Sequence, residues 1–156
     1  MRKERLFARQ RSKYRHATTD SHHGGPIAPN RLPGLVVQRP NQVWVTDATG
    51  ILTGQGWLYL VAVLDVHRRR VVGWAMSPLL DAPLTIAALR MALRQRQPGR
   101  MLIVHSDRGS QFASAAYRQG LAENGLLASM SRAGTCNDNA FLEPRWSSLK
   151  YVSVYH

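Results

Sequence analysis

Three acidic side chains stand where carboxylates could do chemistry on a phosphate. Asp47 and Asp107 each end a predicted strand, and Glu143 lies in the last predicted helix. Carboxylates gathered in a basic chain repel one another, and divalent cations such as Mg²⁺ relieve that repulsion. Two such ions about 3.5–4 Å apart can activate an attacking oxygen and stabilise a leaving one at phosphorus. The alternative to a metal site is that the two aspartates cap turns and the glutamate is solvated.

The elements that must position these acids begin with three strands. The apolar pattern predicts strands over residues 42–46, 57–64 and 70–76, with Asp47 at the end of the first. The second is almost continuously apolar, as in a strand buried on both faces. Short turns separate the three, so we expect an antiparallel meander.

Strands and helices alternate in the rest of the chain. Asp81 is predicted to cap a helix that runs to about Gln97, and strands are predicted over 101–104 and 126–130. Further helices are predicted over 111–124, closed by Gly125, and over 139–151. This order predicts an α/β fold with a mixed sheet flanked by helices. If the first and fourth strands are neighbours, both aspartates project from one region of the sheet.

The charge of the chain points to a polyanion as partner. Its 156 residues carry a net charge of +12, which favours nucleic acid but leaves open a basic protein of another kind. Residues 1–40 hold nine Lys/Arg and two Asp/Glu, a net of +7, with several prolines and glycines. We interpret residues 1–40 as a basic, mostly flexible arm or linker, with the folded domain over 41–156.

Composition also bounds the compartment. No run of about 18 apolar residues is present, so no membrane partner is predicted. Cys136 is the only cysteine and fits a reducing, cytoplasmic location.

Local sequence around the three acids resembles that of insertion-sequence DDE transposases and retroviral-type integrases. Residues 44–49, WVTDAT, resemble the first-aspartate motif of these families, W-x-T-D-x-T. Residues 105–112, HSDRGSQF, resemble the second, and 137–143, NDNAFLE, resemble the third. Thirty-five residues separate Asp107 from Glu143, which matches the D-D-35-E spacing, and Lys150 follows the glutamate by seven. The resemblance extends over about residues 40–152.

The resemblance implies a ribonuclease-H-like fold with a five-stranded mixed sheet, and a catalytic core that cleaves DNA and transfers strands. It implies two Mg²⁺ or Mn²⁺ ions, with Asp47 as the bridging ligand and Asp107 and Glu143 each completing one site. The implied partners are DNA, as transposon ends and target, and further copies of the chain in a homo-oligomer. Such an enzyme would work in the bacterial cytoplasm, at the nucleoid when bound to DNA.

Four residues are candidate DNA contacts, and three of them have an alternative role. Lys150 could reach a phosphate from the helix face of Glu143, or be a solvated lysine. Asn139 could orient Glu143, touch DNA or cap the helix. Gln111 could contact DNA or only provide polarity at a helix start, and Arg108 lies within the second motif.

Other positions carry weaker expectations. His105 could lean over the metal site or be a structural, hydrogen-bonded histidine, and Gly109 is expected to serve backbone geometry. The basic turn 67–70 could bind phosphate or be solvated, and the pair 22–23, His-His, is expected to be loop. Core positions are expected for three tryptophans: Trp44, Trp57 and Trp74.

Departures from the family pattern leave activity open. Pro144 directly follows Glu143 and is expected to kink the helix, and Val152 stands where relatives often have a second glutamate. Because family members continue past His156, we interpret residues 41–156 as a C-terminally truncated core. The alternatives to an active enzyme are a non-catalytic DNA-binding remnant and, less consistent with the motifs, a nuclease acting on RNA–DNA hybrids.

Overall fold

The computed structural model describes residues 23–131. Within them the chain forms eight elements in this order: β1 (Val43–Thr53), β2 (Gly56–Asp65), β3 (Arg70–Ser77), α1 (Ala82–Arg96), β4 (Ile103–Ser106), α2 (Ser110–Ala113), α3 (Ala115–Glu123) and β5 (Leu127–Met130). No helix in this part of the chain is long and apolar enough to cross a membrane. The helix predicted over 139–151 lies outside the described residues.

The five strands form one mixed sheet in the order β3-β2-β1-β4-β5. The first three strands make the predicted antiparallel meander. Strand β4 joins β1 in parallel, and β5 joins β4 in parallel. Parallel neighbours need a crossover connection, which α1 provides before β4 and the α2–α3 segment before β5. The predicted α/β fold with a five-stranded mixed sheet is confirmed.

Strand β1 is longer than predicted. It continues through Asp47 to Thr53, and residues 48–53 pair with residues 56–61 of β2. The prediction failed because this half of the strand contains Ala48 and Gly50, which weaken the apolar signal, although the hairpin ladder accommodates them. Asp47 therefore lies in the middle of a strand and not at its end.

The first helix begins and ends as predicted. The Asp81 carboxylate accepts a hydrogen bond from the Leu84 backbone N–H at 3.1 Å, which satisfies one of the orphan donors of the first turn. Gln97 adopts a left-handed conformation, and its N–H donates to the Leu93 carbonyl, closing the helix.

The continuous helix predicted over 111–124 is wrong. The chain leaves helical geometry at Ser114, where φ is −58° and ψ is 145°. The Ser114 hydroxyl then accepts from the Tyr117 N–H at 3.2 Å, so it caps a new helix. A serine in a helical pattern can either continue the helix or restart it, and here it restarts it.

The helices cover one face of the sheet. Side chains from β1, β2 and β4, including Trp44, Val61 and Val104, pack with the apolar residues of α1 and α3 into the main core. The opposite face, here called the second face, carries a smaller buried cluster. Its members are Val45, Ile51, Leu60, Ala62 and Leu64.

The three tryptophans predicted for the core have different environments. Trp44 is fully buried, Trp57 is half-buried, and Trp74 is 48% exposed. Trp74 lies on the edge strand β3 opposite Ala62, so it points to the second face at the border of the sheet. The prediction is therefore wrong for Trp74.

Strand β3 and helix α1 approach each other at Gly73. An ideal Cβ there would lie 2.5 Å from the Ala88 carbonyl oxygen and 2.5 Å from the Ala92 nitrogen. Both are backbone atoms of a helix, so neither can move without displacing α1. Glycine at this position lets the helix pack directly on the sheet.

Replacing Gly73 with Ala should lower the free energy of unfolding by at least about 2 kcal/mol, because the clash is with backbone. Urea unfolding followed by circular dichroism measures this. Gly120→Ala in α3 is the matched control, since its Cβ would meet nothing within 4 Å. That control should raise stability by about 0.5–1 kcal/mol. Equal effects of the two substitutions would contradict the close approach.

Tyr117 presents a different feature of the main core. Its ring packs edge-on against Phe112, with centroids 5.5 Å apart, and it is 2% exposed. Among the described residues, none forms a hydrogen bond with its buried hydroxyl. Burial raises the pKa of this hydroxyl well above its usual value, because the interior disfavours the phenolate.

Tyr117→Phe should raise the free energy of unfolding by about 1 kcal/mol at neutral pH, since an unsatisfied buried hydroxyl is removed. The advantage should grow above about pH 10, where the unfolded tyrosine loses its proton while the folded one keeps it. Wild-type stability thus falls with rising pH in that range, and urea unfolding at neutral pH and about pH 10.5 compares the two proteins. A variant less stable than wild type at both pH values would contradict this account.

Candidate metal centre

The parallel pairing of β1 with β4 brings the segments that carry two aspartates side by side. Val45 lies opposite His105 in this ladder. Asp47 follows two residues later within β1, and Asp107 follows two residues later just beyond the end of β4. Side chains two residues apart point to the same face. Asp47 therefore shares the second face with Val45, and Asp107, the first residue beyond β4, follows His105. We call Asp47 and Asp107 the acid pair; both are half-buried.

Each aspartate of the acid pair is oriented by a nearby backbone N–H. Asp47 Oδ1 accepts from the Ala48 nitrogen at 2.8 Å, and Asp107 Oδ1 accepts from the Gly109 nitrogen at 2.9 Å. The second bond opens the turn that carries the chain from β4 into α2. Charge-assisted bonds of this kind restrict the carboxylate rotamer, so the pair is held in place by its own main chain.

The third predicted acid is not placed by this structure. Glu143, like Asn139 and Lys150, lies outside the described residues. Within residues 23–131 no group of three or more His, Cys, Asp or Glu side chains could hold a metal ion. The acid pair does supply carboxylate oxygens, which is the donor type that Mg²⁺ and Mn²⁺ prefer.

Another acid, Asp65, ends β2 and has a structural role. It is 1% exposed, and its two oxygens accept from the Asn41 nitrogen at 2.8 Å and the Arg68 nitrogen at 3.0 Å. It pairs with Trp44 in the ladder, so it points to the face opposite Asp47. Asp65 therefore ties the β2–β3 turn to the chain before β1.

His105 is a buried, hydrogen-bonded histidine. It is 0% exposed, and its Nδ1 lies 2.8 Å from the Ser129 hydroxyl on β5. The same hydroxyl accepts from the Arg31 nitrogen at 2.9 Å. Sequence reasoning missed Ser129, because only strand pairing brings it beside His105. Of the two roles considered for His105, the structural one is thus present in the fold.

Of the two predicted DNA contacts within the described residues, Arg108 is hydrogen-bonded to protein and Gln111 is buried. Arg108 is half-buried, and its Nε donates to the Ser131 carbonyl at 2.8 Å. Gln111 is 5% exposed, and no described residue forms a hydrogen bond with its buried Nε2. Their contact with DNA stays a prediction.

Gly109 is not needed for the backbone freedom that was expected, because its φ of −61° is open to any residue. A Cβ there would instead overlap Gln111 Nε2 and lie 2.7 Å from Gln111 Cδ. The buried amide of Gln111 fills the space beside Gly109, so the two residues of the motif depend on each other.

Gly109→Ala should cost about 1–3 kcal/mol of stability, because the buried Gln111 side chain must be displaced. In a Gln111→Ala background the cost should fall by at least about 1 kcal/mol, a coupling that a double-mutant cycle in urea measures. Gly54→Ala serves as the control, since its Cβ would meet nothing within 4 Å and its effect should be additive with Gln111→Ala. Additivity in the Gly109 cycle would show that the contact is unimportant.

The basic turn between β2 and β3 is exposed. Residues 67–70, one histidine and three arginines, all face solvent, and Arg69 has a positive φ of 52°. The turn is anchored by the bond from the Arg68 nitrogen to Asp65. Binding of phosphate by this turn stays a prediction.

Comparison with known proteins places the chain in a family. The integrase core domain family matches residues 37–136. An insertion element IS600 uncharacterized 31 kDa protein of Shigella sonnei is 47% identical over 158 residues, covering 100% of this chain and 58% of that protein. Transposase InsF for insertion sequence IS3A of Escherichia coli K12 is 44% identical over 134 residues, covering 85% and 46%. The chain thus spans about half the length of these relatives.

Solved structures show the same fold at low sequence identity. The integrase catalytic core domain of HTLV-2 in complex with magnesium, in its trimeric form, aligns with a TM-score of 0.60 and 18% identity, covering 72% of this chain and 68% of that one. A chain of the simian T-cell lymphotropic virus intasome aligns with a TM-score of 0.67 and 15% identity, covering 86% and 46%. With its mixed sheet, its acid pair and the family match over residues 37–136, the chain belongs to the integrase core domain family.

Proposed function

We propose that this chain is the catalytic core of a DDE transposase, which cleaves DNA strands and transfers them to a target with the help of Mg²⁺ or Mn²⁺. The observation that supports the proposal is the acid pair: the parallel pairing of β1 with β4 brings the strand that carries Asp47 beside the strand that Asp107 follows. The 44% identity to an insertion-sequence transposase supports it, as does a fold shared with an integrase core bound to magnesium.

In this proposal Asp47, Asp107 and Glu143 would together hold two divalent ions. Ions bound there would activate the attacking water or 3′-hydroxyl and stabilise the leaving oxygen. The carboxylates supply charge and geometry, and the backbone bonds to Asp47 and Asp107 limit the rearrangement needed on binding. Glu143 would have to approach the second face, because Asp47 points there.

DNA is the proposed substrate, as transposon ends and target. The net charge of +12 would attract the phosphate backbone, and Lys150, Asn139, Arg108 and Gln111 remain the proposed contacts near the acids. A homo-oligomer acting on paired DNA ends, in the bacterial cytoplasm, completes the proposal.

Asp107→Asn should reduce Mn²⁺-dependent DNA cleavage and strand transfer by at least about 100-fold, because a lost metal ligand removes several kcal/mol of transition-state stabilisation. Stability should be unchanged or higher, since Asn keeps an acceptor for the Gly109 N–H and one negative charge leaves the pair. Nicking and strand-transfer assays with labelled duplexes, beside thermal unfolding, measure both effects.

Asp65→Asn is the matched control. It should lower stability, because a buried charge-assisted pair of bonds is weakened, while Mn²⁺-dependent cleavage by the remaining folded protein persists. Wild-type activity that survives Asp107→Asn would reject the proposed mechanism. Salt-sensitive DNA binding without any cleavage by the wild type would favour a non-catalytic binding role instead.

A further inference from the structure

The chain ahead of β1 crosses the loop that follows Asp107. His23 Nε2 lies 2.6 Å from the backbone carbonyl oxygen of Arg108, a residue 85 positions later. Arg108 directly follows Asp107, and the next residue, Gly109, donates to the Asp107 carboxylate. The His23 imidazole therefore binds the Arg108–Gly109 peptide, which lies in the turn that orients Asp107.

Both nitrogens of the His23 ring are engaged, and their partners define its tautomer. The Gly25 backbone N–H donates to Nδ1 at 3.1 Å, so Nδ1 acts as the acceptor. Because the Arg108 carbonyl can only accept, Nε2 carries the proton and donates. A neutral imidazole with this tautomer makes both bonds at once, linking a local turn to a distant loop.

Close packing holds the His23 ring at this place. A Cβ on Gly25 would lie 2.9 Å from His23 Nδ1 and 3.1 Å from the Cβ of Ala113 in α2. The glycine thus allows the chain to pass between the ring and the helix. Sequence reasoning assigned the 22–23 pair to loop, because the spacing of histidines showed no partner nearby.

The segment 23–31, here called the strap, is anchored at its other end too. The Arg31 nitrogen donates to the Ser129 hydroxyl, and Arg31 Nε donates to the Ala128 carbonyl at 3.2 Å. Ser129 in turn contacts the His105 ring. His23, at one end of the strap, therefore binds the loop after Asp107. Arg31, at the other end, binds Ser129, whose hydroxyl contacts His105.

We propose that His23 is a positioning residue for the acid pair: it holds the Arg108 peptide, and through it sets the orientation of Asp107. This inference rests on the metal-binding function proposed above for Asp107. Arg108 also donates from its side chain to the Ser131 carbonyl, so the loop is held from two sides. Loss of the His23 bond leaves the side-chain bond alone and lets the Arg108 peptide rotate.

Two substitutions of His23 separate its two bonds. Gln reaches the position of Nε2 and can donate to the Arg108 carbonyl, whereas Asn reaches only the position of Nδ1 and can accept from Gly25. His23→Asn keeps the bond from the Gly25 N–H but loses the bond to the Arg108 carbonyl, whereas His23→Gln keeps the bond to that carbonyl. The full chain carries each substitution, with Asp107→Asn as the reference for a lost ligand.

Amide hydrogen exchange at Gly109 reports the loop without any metal. His23→Asn should speed this exchange by about tenfold, the effect of one hydrogen bond, while His23→Gln stays within about threefold of wild type. Mn²⁺ binding, followed by the electron paramagnetic resonance of the free ion, should weaken by about tenfold or more in His23→Asn and little in His23→Gln.

The outcomes separate this inference from the proposed function. If the amide of Gly109 exchanges equally fast in the wild type and both His23 variants, the bond from His23 to the Arg108 carbonyl does not hold the loop. Faster exchange in His23→Asn with unchanged Mn²⁺ affinity would overturn its role in positioning the acid pair. Mn²⁺ binding that Asp107→Asn does not weaken would instead overturn the proposed function, while the exchange data still decide whether His23 holds the loop.

Discussion

The parallel pairing of β1 with β4 is the constraint on which the candidate site depends. His105 lies 60 positions after Val45, yet the ladder sets the two side by side. Asp47 follows Val45 on the same face of β1, and Asp107 is the first residue after β4. A shift of one residue in this register would send one aspartate to the helix-covered face. The buried flanks of both strands, with Trp44 and Val104 in the main core, oppose such a shift.

The two strands deliver their aspartates in different ways. Strand β1 runs on past Asp47, held by β2 alone once its pairing with β4 has ended. Strand β4 stops at Ser106, and a turn carries the chain away through Asp107 and Gly109. Asp47 is thus held by a continuous ladder, whereas Asp107 depends on a loop. Among the described residues, contacts from Gln111, Ser131 and the strap support the loop that follows Asp107.

Much of this arrangement could be predicted from sequence where the signal is local. Strands rich in apolar residues and the Asp81 cap predicted the sheet and its first helix, and the spaced acid motifs singled out Asp47 and Asp107 as candidates. The extent of β1 could not be predicted, because Ala48 and Gly50 carry little β signal until β2 pairs with them. The break in the helix at Ser114 could not be predicted either, because a serine can continue a helix or cap a new one.

The features that the sequence pattern could not predict depend on tertiary packing. The contact of Gly109 with Gln111 follows from the burial of the Gln111 amide, and the His23 bond joins residues 85 positions apart. Neither leaves a periodic trace. Residues of one sequence motif therefore serve different physical purposes, and these can be distinguished only once the packed structure is known.

The three strand-associated aspartates show how the fold distinguishes a structural acid from one suited to a ligand. A buried carboxylate must be compensated by donors, and Asp65 is compensated by backbone N–H groups on both oxygens. It lies within the main-core side of the sheet, where a cation and its water would have to displace those donors and the packing around Trp44. Asp47 lies on the other face, half-buried, and Asp107 follows the end of β4 and is half-buried too. An external ligand could therefore reach these carboxylates without displacing the donors and the packing that surround Asp65. The burial of a carboxylate and its compensation by donors, and not its presence at a strand end, thus distinguish a structural acid from one open to a ligand.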